Sequence, residues 1–251
     1  MIGCLRRTAR LFDRKTGLSM LLPMDHGITE GMLPGLEDIS EKINLLAETK
    51  AGGLIVHKGI VLRQAENIPI DKNIVIHLSA GTKHGIPQYC KTLVTGVAEA
   101  QRLGADAVSM HVNIGNDLED RMLADLGMVV DEAHLAGLPV LAMIYARGGQ
   151  IINELNPALV SHCIRLGAEF GADLIKVPYS GDYKSFSRAV SNCPVPVLVA
   201  GGPRQPDFGS FLDMIKSALD AGSRGVSVGR NLFQQNDPLQ AINRLQDIMG
   251  L

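Results

Sequence analysis

A chain of 251 residues matches the roughly 250 typical of one (β/α)8 barrel and is long enough to bury a large core. With 46% hydrophobic and 20% charged residues, and no run of about 18 apolar residues, it reads as an ordinary globular chain without a membrane span. A net charge of −2, 4% aromatics and no Trp leave no basis for a nucleic-acid or membrane partner, and Cys4, Cys90, Cys163 and Cys193, lacking CxxC or metal-ligand spacing, read as free thiols of a cytoplasmic protein.

Residues 1–17 form an N-terminal extension with no apolar signal core. The charge pattern of its Leu5–Phe12 stretch permits packing on a neighbour or closing a barrel bottom. After it, short β-branched runs alternate with longer amphipathic segments. The first strand is predicted at Leu18–Met24 and is followed by a helix over 36–50. The second, Gly53–His57, leaves room for only a short helix at 59–67. The third, Ile74–Leu78, precedes a helix predicted over 87–103. The fourth, Ala107–Val112, precedes a helix over 117–136. The fifth, Val140–Tyr145, leads to a helix over 156–170, with Asn156 as cap and Pro157 at its first position. The sixth, Leu174–Pro178, is followed by 182–192, the seventh, Val195–Ala200, by 207–220, and the eighth, Gly225–Val228, by 237–249. Gly104, Gly137, Gly171 and Gly222 each stand just past a helix end.

The strands are nearly continuous in hydrophobicity, which suits parallel strands covered on both faces. LGADAVSMHV, FGADLIKVPY and AGSRGVSVGR form a weak repeat at βα scale. Eight such units favour a closed barrel over an open doubly wound sheet. The predicted fold is α/β, a single-domain (β/α)8 TIM barrel over residues 1–251.

Polar residues collect where the strands end. Asp25 and His26 follow the first strand, and His57 and Lys58 the second. His77 and Ser79 end the third and His111 the fourth. Tyr145 and Arg147 end the fifth. In barrels of this kind the active site is built at those ends. Lys176 sits among Leu174, Ile175, Val177 and Pro178 in the sixth. Burial disfavours a charged ammonium and favours the free amine, a nucleophile that forms Schiff bases with carbonyls.

The last two strands run into glycines: Gly201-Gly202 after the seventh, Gly229-Arg230 after the eighth. Glycine lets backbone N–H groups approach an anion closely, and barrels frequently hold phosphate between these two loops. Arg230 adds a charged fork.

The motifs PMDHG (23–27), HKG (57–59), HLS (77–79), ADAVSMHVN (105–113), Tyr-x-Arg-Gly (145–148), LIKVPYSGD (174–182), VAGGP (199–203) and VGRNLFQ (228–234) run in order along nearly the whole chain. In them the chain resembles the archaeal-type class I aldolases of the DeoC/fructose-bisphosphate aldolase superfamily. The resemblance implies a metal- and cofactor-free Schiff-base mechanism with Lys176 as the imine-forming lysine and Tyr145 as the proton donor and acceptor. It makes Asp25 and His26 site-lining groups and puts Gly201, Gly202, Gly229 and Arg230 in the phosphate loops. Lys58, His57, Ser79, His111 and Arg147 would line the rest of the site. A homo-oligomer is implied as well.

Two branches of that superfamily compete. The fructose-bisphosphate aldolases usually carry a Trp two residues before the catalytic Tyr, where this chain has Met143. HVNIGND (111–117) is more similar to the 2-amino-3,7-dideoxy-D-threo-hept-6-ulosonate synthases and to enzymes joining aspartate semialdehyde to dihydroxyacetone phosphate. The expected reaction is therefore condensation of a keto-phosphate fragment with such an aldehyde, with fructose-1,6-bisphosphate cleavage as the alternative. Ala146 stands where a Pro commonly follows the Tyr, which leaves the placement of Tyr145 open. Lys83, His84, Arg147 and Arg204 are unranked candidates for an acceptor carboxylate. Two further readings stand beside these. His26, His57, His77 and His111 could serve a metal-dependent lyase, and a barrel can bind a sugar phosphate without turning it over.

Overall fold

The computed structural model describes residues 2–251, so Met1 of the expected extension and domain lies outside the described residues. Eight parallel strands close into a barrel: β1 (Ser19–Pro23), β2 (Gly53–Val56), β3 (Asn73–His77), β4 (Ala107–Ile114), β5 (Val140–Ala146), β6 (Leu174–Pro178), β7 (Val197–Ala200) and β8 (Gly225–Ser227). Each pairs with its neighbours in sequence, and β8 returns to β1 through Ser19↔Gly225 and Leu21↔Ser227.

The alternation of side chains along each strand builds two cores. Leu22, Leu54, Val56, Ile76, Val108, Val112, Ile144, Ile175 and Val199 point outward into the layer between sheet and helices. Leu21, Ile55, Val75, Leu141, Leu174 and Leu198 point inward and fill the lower barrel. Above that apolar plug the inward positions change character. Lys176, His77, Ser109, Asn113 and Ser227 are all buried polar groups. A polar tier inside an apolar cylinder is held there for a purpose other than packing.

The helices begin where carboxylate and amide caps accept their free N–H groups, Asn156, Asp182, Asp207 and Asp237 among them. The extension forms a helix, Ile2–Arg10, that closes the bottom of the barrel. Leu11, fully buried, packs with the lowest inward layer. Arg7 Nη1 donates to Gly137 O at 2.9 Å, and Asn73 Nδ2 to Arg10 O at 3.0 Å.

The helix expected over 87–103 is not formed as such; only Val97–Arg102 is helical. Residues 79–93 instead make an antiparallel hairpin, Ser79–Ala80 against Thr92–Leu93, whose long loop arches over the barrel mouth. The β-branched run Thr92, Val94, Thr95 and the glycines at 81 and 85 oppose helix there. Among the described residues no helix is long and apolar enough to cross a membrane.

Candidate active site

A cavity of about 690 Å³ opens at the C-terminal ends of the strands. Lys176 stands on its floor with 6% of its surface exposed. The register explains its place: Lys176 pairs with Met143 and Met143 with His111, all on inward positions, and Tyr145 pairs with Asn113 one tier higher. The Lys176 Nζ has Met143 Sδ at 4.0 Å, a weak acceptor, and among the described residues no carboxylate within ion-pair distance. A buried amine held by so little is free to meet a carbonyl carbon.

Beside it lies a chain of coupled polar groups. Asp25 has His26 Nδ1 at 3.7 Å and His77 Nε2 at 4.0 Å. His77 Nδ1 is 2.8 Å from Ser109 Oγ and its Nε2 is 3.4 Å from Ser79 Oγ, which in turn accepts the His111 N–H at 2.9 Å. The His57 ring meets the His77 ring edge-on with centroids 5.2 Å apart. Burial works against the Asp25 charge, but the positive character of His26, His77, Lys176 and His57 outweighs it and holds the carboxyl well below its usual range. Burial pushes the His77 imidazole down to about 3, and it lowers His26, His57 and His111 as well. The site thus couples an ionised carboxylate to imidazoles whose burial opposes their protonation.

Tyr145 is buried to 8% exposure, its ring 4.8 Å from that of His111. The Arg147 guanidinium lies 4.4 Å over the same ring while its Nε donates to Glu154 at 2.7 Å. His111 Nε2 is 2.8 Å from Asn113 Oδ1, and Asn113 donates to Tyr89 O at 2.6 Å, tying the hairpin loop to the strand. Ala146 does not loosen Tyr145. The β4–β5 ladder runs unbroken through Ile114↔Ala146, and Arg147 N donates to Ile114 O at 3.0 Å.

Across the mouth, the loops after β7 and β8 approach each other. Gly202 takes a left-handed backbone, φ +70°, and a Cβ on Gly229 would stand 2.6 Å from Pro23 O and 2.7 Å from His26 Cε1. Both loops hang on Asn231, fully buried, whose Nδ2 donates to Gly201 O and Pro203 O at 2.9 Å and whose Oδ1 accepts from Gln205 N at 2.8 Å. Among the described residues, Arg230 Nε and Ser227 Oγ are buried in the cavity wall without a hydrogen-bond partner.

Comparison with known proteins follows this geometry. Residues 19–235 match the model of the DeoC/LacD family aldolases. The chain belongs to the DeoC/LacD aldolase family. It is 42% identical over 233 residues to a 2-amino-3,7-dideoxy-D-threo-hept-6-ulosonate synthase of Halobacterium salinarum, covering 92% of this chain and 87% of that protein. It is 36% identical over 243 residues to the 2-amino-4,5-dihydroxy-6-oxo-7-(phosphonooxy)heptanoate synthase of Streptomyces griseus, covering 97% and 89%. Among solved structures it superposes with a TM-score of 0.91, at 30% identity and over 97% of this chain and 98% of the other, on an archaeal fructose-1,6-bisphosphate aldolase whose catalytic Lys is covalently bound to the carbinolamine intermediate. The chain is accordingly an enzyme of the Schiff-base, class I aldolase type.

In this aldolase the cavity wall gathers Lys176, Tyr145, Asp25, His26, His57, Ser79, His111, Arg147, Gly201, Gly202, Gly229 and Arg230. Lys58 is the exception. It opens the helix Lys58–Gln64, and its Nζ is bound to Glu99 at 3.0 Å, off the cavity wall. A lysine directly after a strand end begins the next helix here, so its side chain leaves the mouth. His77, a strand-end residue outside the expected site set, also lines the cavity, as do Asn113 at the end of β4 and the unexpected Lys91 and Ser227. Asn231 lies inside the quoted VGRNLFQ motif, while Lys91 was hidden by the helix expected over its segment. The four histidines of the metal-lyase reading all line this cavity, but among the described residues no three of them, with or without a carboxylate, bring their ligand atoms within 4.8 Å of one another. Among the described residues, the group whose donor atoms lie within 4.8 Å of one another is Cys4, His134 and Asp173, at the closed bottom of the barrel.

Proposed function

We propose that this aldolase makes or breaks a carbon–carbon bond through an imine on Lys176, condensing a phosphorylated ketone with a small aldehyde. The carrying observation is a buried amine lying in one cavity with an anion cradle and a phenol. Lys176 adds to the ketone carbon, giving a carbinolamine that expels water to form an iminium. Asp25, an ionised carboxylate, is the group to take the proton that the Lys176 nitrogen loses on adding to the carbonyl and to pass it to the hydroxyl that leaves as water. The iminium accepts the electron pair released when the carbon–carbon bond breaks, and the enamine returns it to an aldehyde in the reverse direction. Tyr145 gives its proton to the forming alkoxide in condensation and takes it back in cleavage. Gly201, Gly202, Gly229 and Arg230 hold the phosphate, whose remote binding energy aligns the carbonyl with the amine. His26, His57, Ser79, His111 and Arg147 shape the remaining wall.

The acceptor is an amino-acid semialdehyde in the favoured reading. Its product would be of the kind the Streptomyces griseus relative is named for, a heptanoate with an amino group near the carboxylate and a phosphonooxy group at the far end. Met143 supports this branch, and fructose-1,6-bisphosphate cleavage is the second reading, supported by the aldolase superposition. The four free cysteines suit a reducing cytoplasm. Borohydride reduction with a substrate panel tests the scheme. Fructose bisphosphate, dihydroxyacetone phosphate with glyceraldehyde phosphate, and dihydroxyacetone phosphate with aspartate semialdehyde should each be tried, and the mass of the adduct read on Lys176. An adduct on another lysine overturns the assignment.

A further inference from the structure

Lys91 is a cation that the mechanism above does not use. It retains 7% exposure, lines the cavity, and sits on the hairpin loop that crosses the mouth. Its Nζ donates to Thr29 Oγ1 at 3.1 Å and to Gly81 O at 3.2 Å, both neutral. Among the described residues no carboxylate lies within ion-pair distance of it, although an ammonium has three protons to give. Burial, reinforced by the Arg147 charge, lowers its proton affinity against the weaker pull of Asp25. A buried cation without an anion is destabilising, and the fold keeps it where substrate enters.

The topology says which part of the substrate would meet it. The phosphate loops follow β7 and β8, and Lys91 belongs to the connection after β3, whose strand stands across the barrel from β7; its Nζ reaches over to Thr29 in the connection after β1. Lys176 on β6 and Tyr145 on β5 stand on the arc between β3 and β7. A substrate whose phosphate rests at β7–β8 and whose reacting carbon reaches Lys176 extends its other end towards β3–β4.

We infer that Lys91 is the specificity-determining residue that binds the carboxylate of the acceptor aldehyde, an inference that rests on the imine reading of Lys176. The donor set favours a carboxylate over a second phosphate. The phosphate side offers two glycine loops, Ser227 and Arg230, whereas this side offers one ammonium, the Thr29 hydroxyl being given already to Gly81 O at 3.0 Å. Arg147 is engaged with Glu154, and Lys83, His84 and Arg204 are exposed at the rim. A singly charged group matches a single buried ammonium.

The test uses the whole enzyme with dihydroxyacetone phosphate as donor and three acceptors: succinic semialdehyde (carboxylate), glyceraldehyde 3-phosphate and neutral glyceraldehyde. The wild type should prefer the carboxylated acceptor over the neutral one. Lys91→Met should lower kcat/KM for succinic semialdehyde about 30-fold or more, mainly through KM, and change glyceraldehyde by less than about threefold. Lys91→Arg, which keeps the charge and guards against a folding defect in the first variant, should restore part of that loss. The borohydride-trapped donor adduct should form equally in all three proteins. Equal losses on charged and neutral acceptors would make Lys91 a structural clamp and overturn the inference. So would no loss at all, no wild-type preference for the carboxylate, or a larger effect on glyceraldehyde 3-phosphate. Absence of any donor adduct in the wild type would instead remove the imine on Lys176, and this inference with it.

Discussion

Asn231 ties the loops after β7 and β8 together, and Asn231→Ala is the sharpest way to ask whether the two glycine loops act as one phosphate seat. The substitution removes both donations from Nδ2, to Gly201 O and Pro203 O, and leaves Gln205 N without its acceptor. At about 1 kcal/mol net for each of these bonds, the loss is about 3 kcal/mol. For a chain of this size a kcal/mol moves Tm by about 2–4 °C, so a fall of roughly 6–12 °C is expected in thermal unfolding. The loop after β7 would then drift from the loop after β8, and the keto-phosphate would have to order it on binding. KM for the phosphorylated donor should rise about tenfold or more, while borohydride trapping at saturating donor changes little. Unphosphorylated dihydroxyacetone should show no such rise. A variant that loses Tm yet keeps its KM for the phosphorylated donor would refute the assignment of these loops to the phosphate.

Lys176→Ala should abolish both turnover and the borohydride adduct, and residual turnover above about one part in a thousand would exclude it as the imine lysine. With Tyr145→Phe the imine should still form while kcat falls about 100-fold or more, and wild-type turnover would remove Tyr145 from the proton transfer. Turnover should survive chelator treatment, and restoration by added zinc after its loss would favour the metal-lyase reading. His77 is held down to about 3 against 6.5 for an ordinary histidine, so between those pH values the unfolded chain binds a proton that the folded one refuses. Stability present above pH 6.5 is therefore lost as pH falls towards 3, with a slope of up to about 1.4 kcal/mol per pH unit. His77→Gln should flatten urea-unfolding free energy against pH by up to that amount between about pH 4 and 6, and an unchanged slope would show that His77 is not buried neutral.

Much of this protein was legible before folding. The β-branched runs and the glycines after each helix placed all eight barrel strands within a few residues of where they lie. Lys176, Tyr145 and Asp25 stood out because each is polar at the end of an apolar run. The failures have two causes. The segment over 87–103 contains alanines, a glutamate and an arginine, so local propensity spoke for helix, while pairing with Ser79–Ala80 made its first half a hairpin. That error hid Lys91. Lys58 failed differently, since adjacency to a strand end says nothing about which way the next turn rotates the side chain.

By itself the sequence determined the number of βα units, the closed α/β barrel they imply, and which strand ends carry polar residues, because periodicity and burial are local properties of a chain. Only the tertiary structure decided what those ends face. It set the place of Lys91 in the cavity wall, the tie through Asn231 between the loops after β7 and β8, and the burial of the imidazoles around Asp25. These are meetings between residues far apart in sequence, brought into contact by barrel closure and strand register, and no local pattern encodes them.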